Sequence, residues 1–285
     1  MQKIWVCGAR GQIGQAVNDV VDKLEFEMLD TDVDDLDVTD TDEVLRFGEM
    51  NRPDIIINCS GMTDISSCEE NPSQAFKVNA LGARNLAIVA AKMQAKMVQL
   101  STDDVFDGKS TEPYTEFDIT NPGTVYGKSK LAGENYVKEF TTKHFIVRST
   151  WVYGKGQNFI NGFLKKVDAG EQLSIASDQF GSPTSANELA RFLLHLVHTS
   201  EYGTYHATNK GVCSRYAFAQ EISKMTGKTA SMQPVPTVMS DFSKVRPAYA
   251  VLDNFIMSMV PIYDFPDWQD SLREYLEERG LYHAE

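Results

Sequence analysis

The sequence predicts an α/β protein: a Rossmann-like, doubly wound parallel sheet with a smaller carboxyl-terminal lobe. Three observations carry this. A glycine-rich turn follows the first apolar run directly, and short uninterrupted apolar runs then alternate with amphipathic segments as far as Ser149. Beyond Ser149 the alternation loosens into shorter, aromatic-rich pieces. The predicted division is a dinucleotide-binding domain over residues 1–150 and a mainly substrate-binding lobe over 151–285, with some segments returning to the first core.

Residues 3–7 read as the first strand, and Gly8-Ala9-Arg10-Gly11-Gln12-Ile13-Gly14 leads from it into an amphipathic helix reaching about Leu24. Glycines at 8, 11 and 14 permit a tight turn, a close approach of a dinucleotide's pyrophosphate to backbone amides, and close helix–strand packing. Residues 26–29 are the second strand, ending in Asp30-Thr31-Asp32. An acid there suits ribose hydroxyls and repels a 2′-phosphate, whereas Arg10 offers that phosphate a cation, so these two residues leave NADH against NADPH open. The acidic run from 30 to 42 reads as a solvated loop, except that Asp37-Val38 could clasp an adenine. The Ile-rich run 54–58 is a buried third strand, followed by Cys59-Ser60-Gly61-Met62-Thr63, small residues that let a cofactor lie on the backbone.

Residues 72–93 read as one long helix with an apolar stripe, in which Asn79 faces either the sheet or solvent. The fourth strand is 97–100, and it delivers Ser101-Thr102 to the sheet's carboxyl end, where open α/β sheets hold their ligands. The next helix, about 125–140, carries Tyr126 and Lys130 four residues apart, and so on one face. An ammonium beside a phenol stabilises the phenolate, which fits Tyr126 for proton exchange near neutral pH. The fifth strand is 144–148. The second lobe then reads as a helix reaching about Ala169, an extended stretch 172–176, a loop 178–184, helices at 187–198 and 214–226, a loop at Arg246-Pro247 and a terminal helix 268–278.

A net charge of −13 argues against nucleic acid as the partner, and means that an anionic ligand needs locally placed cations. The 285 residues are 42% hydrophobic and 24% charged, which excludes disordered and fibrous classes. The four cysteines (Cys7, Cys59, Cys68, Cys213) show no metal or redox spacing and read as buried free thiols in a reducing compartment. With no signal-peptide pattern and no long apolar run, the expectation is a soluble, cytoplasmic protein with no membrane partner.

Several stretches together resemble the dTDP-4-dehydrorhamnose reductase family of extended short-chain dehydrogenase/reductases. They are the Gly8–Gly14 loop with Gln12, Ser101-Thr102-Asp103-x-Val105-Phe106-Asp107-Gly108, Tyr126-Gly127-Lys128-x-Lys130, Trp151-Val152-Tyr153, Asn158-Phe159, Asp178-Gln179-x-Gly181-x-Pro183-Thr184 and Arg246-Pro247. The resemblance implies a catalytic set of Thr102, Tyr126 and Lys130. It implies a cofactor site from Gly8, Arg10, Gly11, Gln12, Ile13 and Gly14, with Asp30, Asp37, Val38, Cys59, Ser60, Gly61, Thr63, Asn79, Tyr126 and Lys130. The sugar nucleotide would meet Asp103, Asp104, Val105, Trp151, Asn158, Phe159, Gln179, Phe180 and Arg246, the last also a fork suited to a pyrophosphate. The implied reaction is NADPH-dependent, with NADH as the other candidate, and reduces the C4 keto group of dTDP-4-dehydro-L-rhamnose to dTDP-L-rhamnose.

Some positions depart from the family. Asp104 stands where these reductases have tyrosine, and Ser-Thr-Asp-Asp also resembles the Thr-Asp-Glu of sugar-nucleotide 4,6-dehydratases. That makes a dehydratase, or a 4-ketoreductase for another deoxysugar, the second reading. Met62-Thr63-Asp64-Ile65-Ser66-Ser67 lacks the family's Val-Asp-Lys, which bears on sugar identity. Where some members bridge a dimer through magnesium held by glutamates, this chain has Ala16 and Asn187, so no metal and a monomer or weak homodimer are expected. A third reading is a non-catalytic dinucleotide-binding subunit resembling the β subunit of methionine adenosyltransferase; Thr102, Trp151 and the 178–184 loop lean toward the enzyme.

Overall fold

Side chains alternate across a strand, so a strand buried on both faces needs helices on both. The computed structural model describes residues 1–237 and 248–283. β1 (Gln2–Cys7) leads to α1 (Gln12–Val20), β2 (Phe26–Thr31), α2 (Thr41–Asn51) and β3 (Ile55–Asn58). Then come α3 (Ile65–Glu70), α4 (Pro72–Phe76), a π-helical turn (Lys77–Gly82), α5 (Ala83–Met93) and β4 (Lys96–Thr102). A 3₁₀ turn (Asp103–Val105), α6 (Val125–Phe140) and β5 (His144–Ser149) complete the first half. The second half holds β6 (Val152–Tyr153), α7 (Phe159–Asp168), β7 (Leu173–Ala176), β8 (Phe180–Gly181), β9 (Thr184–Ser185), α8 (Ala186–Val197) and β10 (Gly203–His206). Last are β11 (Cys213–Ser214), α9 (Arg215–Met225), β12 (Met232–Val235), β13 (Tyr249–Ala250), α10 (Phe255–Met259) and α11 (Trp268–Glu278).

Six strands form one parallel sheet in the order β10-β5-β4-β3-β1-β2. Ile4, Val6, Ile55 and Ile57 point to the face covered by α1 and α8, while Trp5, Cys7, Ile56 and Met97 point to the face covered by α2, α5 and α6. Ala16 of α1 is buried where that helix meets α8. Strand order reverses between β1 and β3, and a crevice opens there at the carboxyl ends. A second core gathers Tyr153, Phe163, Phe218, Trp268 and Leu272 from α7, α9 and α11 and the strands among them. Among the described residues no helix is long and apolar enough to cross a membrane.

The structure differs from the sequence reading in two places that matter to the site. Residues 72–93 are broken by the π-helical turn, and the wider turn carries Asn79 into the interior rather than to solvent. The acidic stretch is not all loop, because α2 begins inside it: the Asp40 side chain accepts from Glu43 N at 2.9 Å, and Glu43 Oε2 accepts from Asp37 N at 3.1 Å. The sixth sheet strand, β10, and its partner helix α8 come from beyond residue 150, and β10 pairs with β5 from Gly203↔Phe145 to His206↔Arg148.

Candidate active site

The carboxyl ends of β1, β3, β4 and β5 and the facing wall of the second lobe enclose a cleft of about 1100 Å³, large for a ligand pocket. One side of it is set by glycine. Gly8 has φ +78°, and a Cβ there would sit 2.7 Å from Ser60 N, so only glycine lets the loop after β1 lie on the loop after β3. Gly11, Gln12 and Ile13 line the cleft where α1 begins, opposite Cys59, Ser60, Gly61 and Thr63. Gln12 Nε2 donates to the Gln157 carbonyl at 2.9 Å, and its buried Oε1 has no protein partner. A close backbone cradle at a helix amino terminus with an unused acceptor in it fits a dinucleotide.

Thr102, Tyr126 and Lys130 all line the cleft and are buried. Thr102 is the last residue of β4; its hydroxyl donates to Asp103 Oδ1 at 3.1 Å and accepts from Asp104 N at 3.2 Å, which fixes the 3₁₀ turn and puts Asp103 and Asp104 on the wall. Tyr126 and Lys130 occupy the first turns of α6, which is capped by Thr124 Oγ1 accepting from Gly127 N at 2.9 Å. Asn79 latches this helix to the loop after β3: it exchanges hydrogen bonds with the backbone of Met62 at 2.8 and 2.9 Å and donates to Ser129 Oγ at 2.8 Å.

Burial pushes the Lys130 ammonium down from 10.5 to about 8, against the opposing pull of Glu134 and Cys59. The charged form therefore dominates below pH 8 and is lost as pH rises through it. We expect kcat/KM to fall along an alkaline limb with its midpoint near pH 8. A profile flat to pH 9.5, about where an ordinary lysine still carries its charge, would show that the charge is not needed.

The opposite wall is built around Trp151, whose φ of +48° is a costly conformation for a bulky side chain. Packing holds it: the indole lies where a Cβ on Gly181 would be, 2.6 Å from the ring, and the Arg215 guanidinium sits 3.4 Å from the ring centroid. Arg215 also lies 4.8 Å from the Phe159 centroid, and its backbone N–H donates to the Gln179 carbonyl at 3.0 Å. Asn158 caps α7, accepting from Asn161 N at 3.0 Å and donating to the Gly154 carbonyl at 2.6 Å. Trp151, Asn158, Phe159 and Gln179 all line the cleft.

Other residues singled out in the sequence lie elsewhere. Gly14 sits under the glycine loop, with no room for a Cβ against Gly8 O. Arg10 turns outward to Asp34 Oδ2 at 2.6 Å and Asp35 Oδ2 at 2.8 Å, because the acidic segment curls back over the loop. Asp30 is an exposed residue of the edge strand β2. Asp37 Oδ1 accepts from Thr39 N at 2.8 Å, closing the turn before α2, and Val38 packs against Gly82 with its carbonyl taken by Asn85. None of these lines the cleft, and Asn79 stands behind it. Val105 is fully buried against Phe106, Tyr114 and Leu252, since the 3₁₀ turn points it into a small core of its own. Phe180 is half-exposed on β8, and alternation along that strand turns it from the wall. Arg246 lies outside the described residues.

The sequence reading missed Arg215 and Lys166, which line the second-lobe wall, and Gln157 beside Gln12. Ser214 is an N-cap whose Oγ accepts from Ala217 N at 3.0 Å, so the local pattern announces a helix start and nothing more. The antiparallel pairing of Cys213↔Gly181 and Ser214↔Phe180 brings Arg215 across to Trp151. Among the described residues no cluster of His, Cys, Asp or Glu is placed to hold a metal ion.

Comparison with known proteins bears on this geometry. The chain is 35% identical over 281 residues to the spore coat polysaccharide biosynthesis protein SpsK of Bacillus subtilis (strain 168), covering 98% of this chain and 99% of that one. A crystal structure of a dTDP-4-dehydrorhamnose reductase from Clostridium acetobutylicum ATCC 824 superposes with TM-score 0.96 at 40% identity, covering 98% of this chain and 100% of the other. One from Bacillus anthracis str. Ames, in complex with NADP, gives TM-score 0.95 at 35% identity, covering 98% and 100%. Residues 1–280 match the family described as RmlD substrate binding domain, and the chain belongs to that family.

Proposed function

We propose that this protein reduces the C4 keto group of dTDP-4-dehydro-L-rhamnose to a hydroxyl, giving dTDP-L-rhamnose, with NADPH as reductant. The observation that carries this reading is Tyr126 and Lys130 on the first turns of one helix, buried with Thr102 in a cleft whose other end is a dinucleotide cradle. Relatives with near-complete coverage support it: the Clostridium acetobutylicum protein bears the reductase name and the Bacillus anthracis protein was solved with NADP.

The glycine loop amides, Gln12 and the Cys59–Gly61 backbone would hold the dinucleotide. When bound, its reduced nicotinamide supplies the hydride. Tyr126 donates its hydroxyl proton to the C4 oxygen as the carbonyl π pair moves onto that oxygen. Thr102 hydrogen-bonds the same oxygen where charge develops. Lys130 stabilises the phenolate left on Tyr126, and the wall bearing Trp151 shields the site from water. Residues 1–150 with α8 and β10 form the dinucleotide-binding unit, and the remaining segments bind the sugar nucleotide. The protein works in the cytoplasm as a monomer or weak homodimer, without metal, membrane or nucleic acid.

The test is purified protein with NADPH and dTDP-4-dehydro-L-rhamnose. Loss of the reduced-nicotinamide absorbance with dTDP-rhamnose as product is the expected result. Elimination from dTDP-glucose, or dinucleotide binding with no turnover of any 4-keto sugar, would contradict it.

A further inference from the structure

We propose that Asp34 and Asp35 set the dinucleotide preference of this protein, by holding Arg10 in a carboxylate clamp that an adenosine 2′-phosphate must displace; this deepens the function proposed above and rests on its dinucleotide. The glycine loop is tied to the end of β2. Gly8 N and Ala9 N both donate to the Thr31 carbonyl, at 2.8 and 3.1 Å, and Arg10 N donates to Asp32 Oδ2 at 2.8 Å. A dinucleotide whose pyrophosphate sits at the start of the first helix lays its adenosine ribose over the end of the second strand. There an acid takes the ribose hydroxyls, or an arginine takes a 2′-phosphate. Both residue types stand at that edge in this chain.

The arginine is already engaged. Its Nη1 donates to Asp34 Oδ2 at 2.6 Å and its Nη2 to Asp35 Oδ2 at 2.8 Å. The two acids are presented by a turn of their own, in which Asp35 N and Leu36 N donate to the Asp32 carbonyl at 2.8 and 2.9 Å. Asp35 Oδ2 accepts in addition from Asp32 N at 3.0 Å, so the clamp and the turn support each other.

This arrangement treats the two cofactors differently. A ribose hydroxyl donates to a carboxylate and leaves the clamp as it is. A 2′-phosphate suits the guanidinium fork, but it gains that partner only by exchange, and the carboxylates it displaces remain beside it as like charges. The clamp is exposed, with Arg10 at 57% and Asp34 at 76%, and exposed ion pairs are weak. It therefore opens to NADPH but removes most of the advantage that an arginine would give NADPH over NADH.

Fluorescence titration of the full chain with NADPH and with NADH, no sugar present, tests this without turnover. The double variant Asp34→Asn, Asp35→Asn should bind NADPH about tenfold more tightly, the worth of two such pairs, and NADH within about twofold of the parent. Arg10→Met should weaken NADPH and leave NADH unchanged, so that NADH affinity also reports folding. Made in the Arg10→Met background, the two aspartate changes should gain much less. An equal gain in both backgrounds would mean plain charge repulsion and no clamp. Unimproved NADPH binding by the double variant, or a parent that already prefers NADPH by about a hundredfold or more, would likewise overturn the assignment. The expected shifts in a protein that reduces no 4-keto sugar would leave the assignment standing and remove the proposed reaction instead; a parent that binds neither dinucleotide would remove both.

Discussion

Tyr126→Phe is expected to lose about a hundred- to ten-thousand-fold in kcat, the usual worth of a positioned general acid, while NADPH still binds. The phenol is buried at the start of α6, and its neighbours there are fixed by backbone bonds, with Ser129 Oγ donating to the Tyr126 carbonyl at 2.8 Å and Glu69 accepting from Val125 N at 2.8 Å. Removing one oxygen from such a site leaves the ring packed and the helix capped, so the loss should fall on kcat rather than on Tm. Dinucleotide affinity from fluorescence and kcat from absorbance, measured on one preparation, separate the two. A variant as fast as the parent would remove Tyr126 from the chemistry.

Arg148→Met should be the most destabilising single change beneath the site. Arg148 and Glu134 form a buried two-point ion pair, Nε to Oε1 at 2.9 Å and Nη2 to Oε2 at 2.8 Å, and Ser101 Oγ donates to the same carboxylate at 2.6 Å. Beyond the pair, Arg148 Nη1 approaches His206 Nε2 at 3.5 Å. His206 Nδ1 faces the carbonyls of Tyr114 at 2.9 Å and Asp253 at 3.1 Å, so Nδ1 carries the proton and Nε2 accepts. Burial and the Arg148 charge hold that ring neutral, down at about 3. Burial alone would raise the Glu134 carboxyl, but Arg148 and Ser101 hold it below its usual value, so its contribution to stability is present above pH 4.5 and is lost as pH falls through the folded value.

Without the guanidinium the buried carboxylate keeps Ser101 and the half-exposed Lys138 ammonium, 3.7 Å from Oε2, but loses its two-point partner, at a cost of about 3–5 kcal/mol, or about 10 °C in Tm for a chain of this size. Thermal unfolding followed by circular dichroism measures this. Replacing both partners, with Glu134→Met added, should recover much of the loss because no charge is then left unpaired. A single variant within a degree or two of the parent would mean that water or a neighbour already satisfies Glu134.

Much of this architecture is legible in the chain because β1, β3, β4 and β5 are apolar on both faces and need no partner information to be seen. The terminal helix is equally plain, since Trp268, Leu272 and Leu276 recur at helical spacing. β10 is harder: Gly203-Thr204-Tyr205-His206 buries only part of its length, and its polar His206 is paid for by contacts from Tyr114, Arg148 and Asp253. The π-helical turn has no local signature either, since it exists to let Asn79 reach Met62 and Ser129. Thr102, Tyr126 and Lys130 can be picked out because strand end and helix spacing place them. Arg215 could not, because an eleven-residue helix supplies its local pattern while a strand pair distant in sequence brings it to the cleft wall. Val105 shows the converse, as a residue next to the site whose side chain a single tight turn sends into a core.

Direct reduction at C4 is decided by where one hydrogen ends up. NADPH deuterated at the transferable nicotinamide position, incubated with the protein and dTDP-4-dehydro-L-rhamnose, should give dTDP-rhamnose carrying one deuterium at C4 by proton NMR, and none elsewhere on the sugar. Deuterium at another sugar carbon, or product formed with the label still on the nicotinamide, would contradict the direct reduction of C4 on which the roles of Thr102, Tyr126 and Lys130 depend.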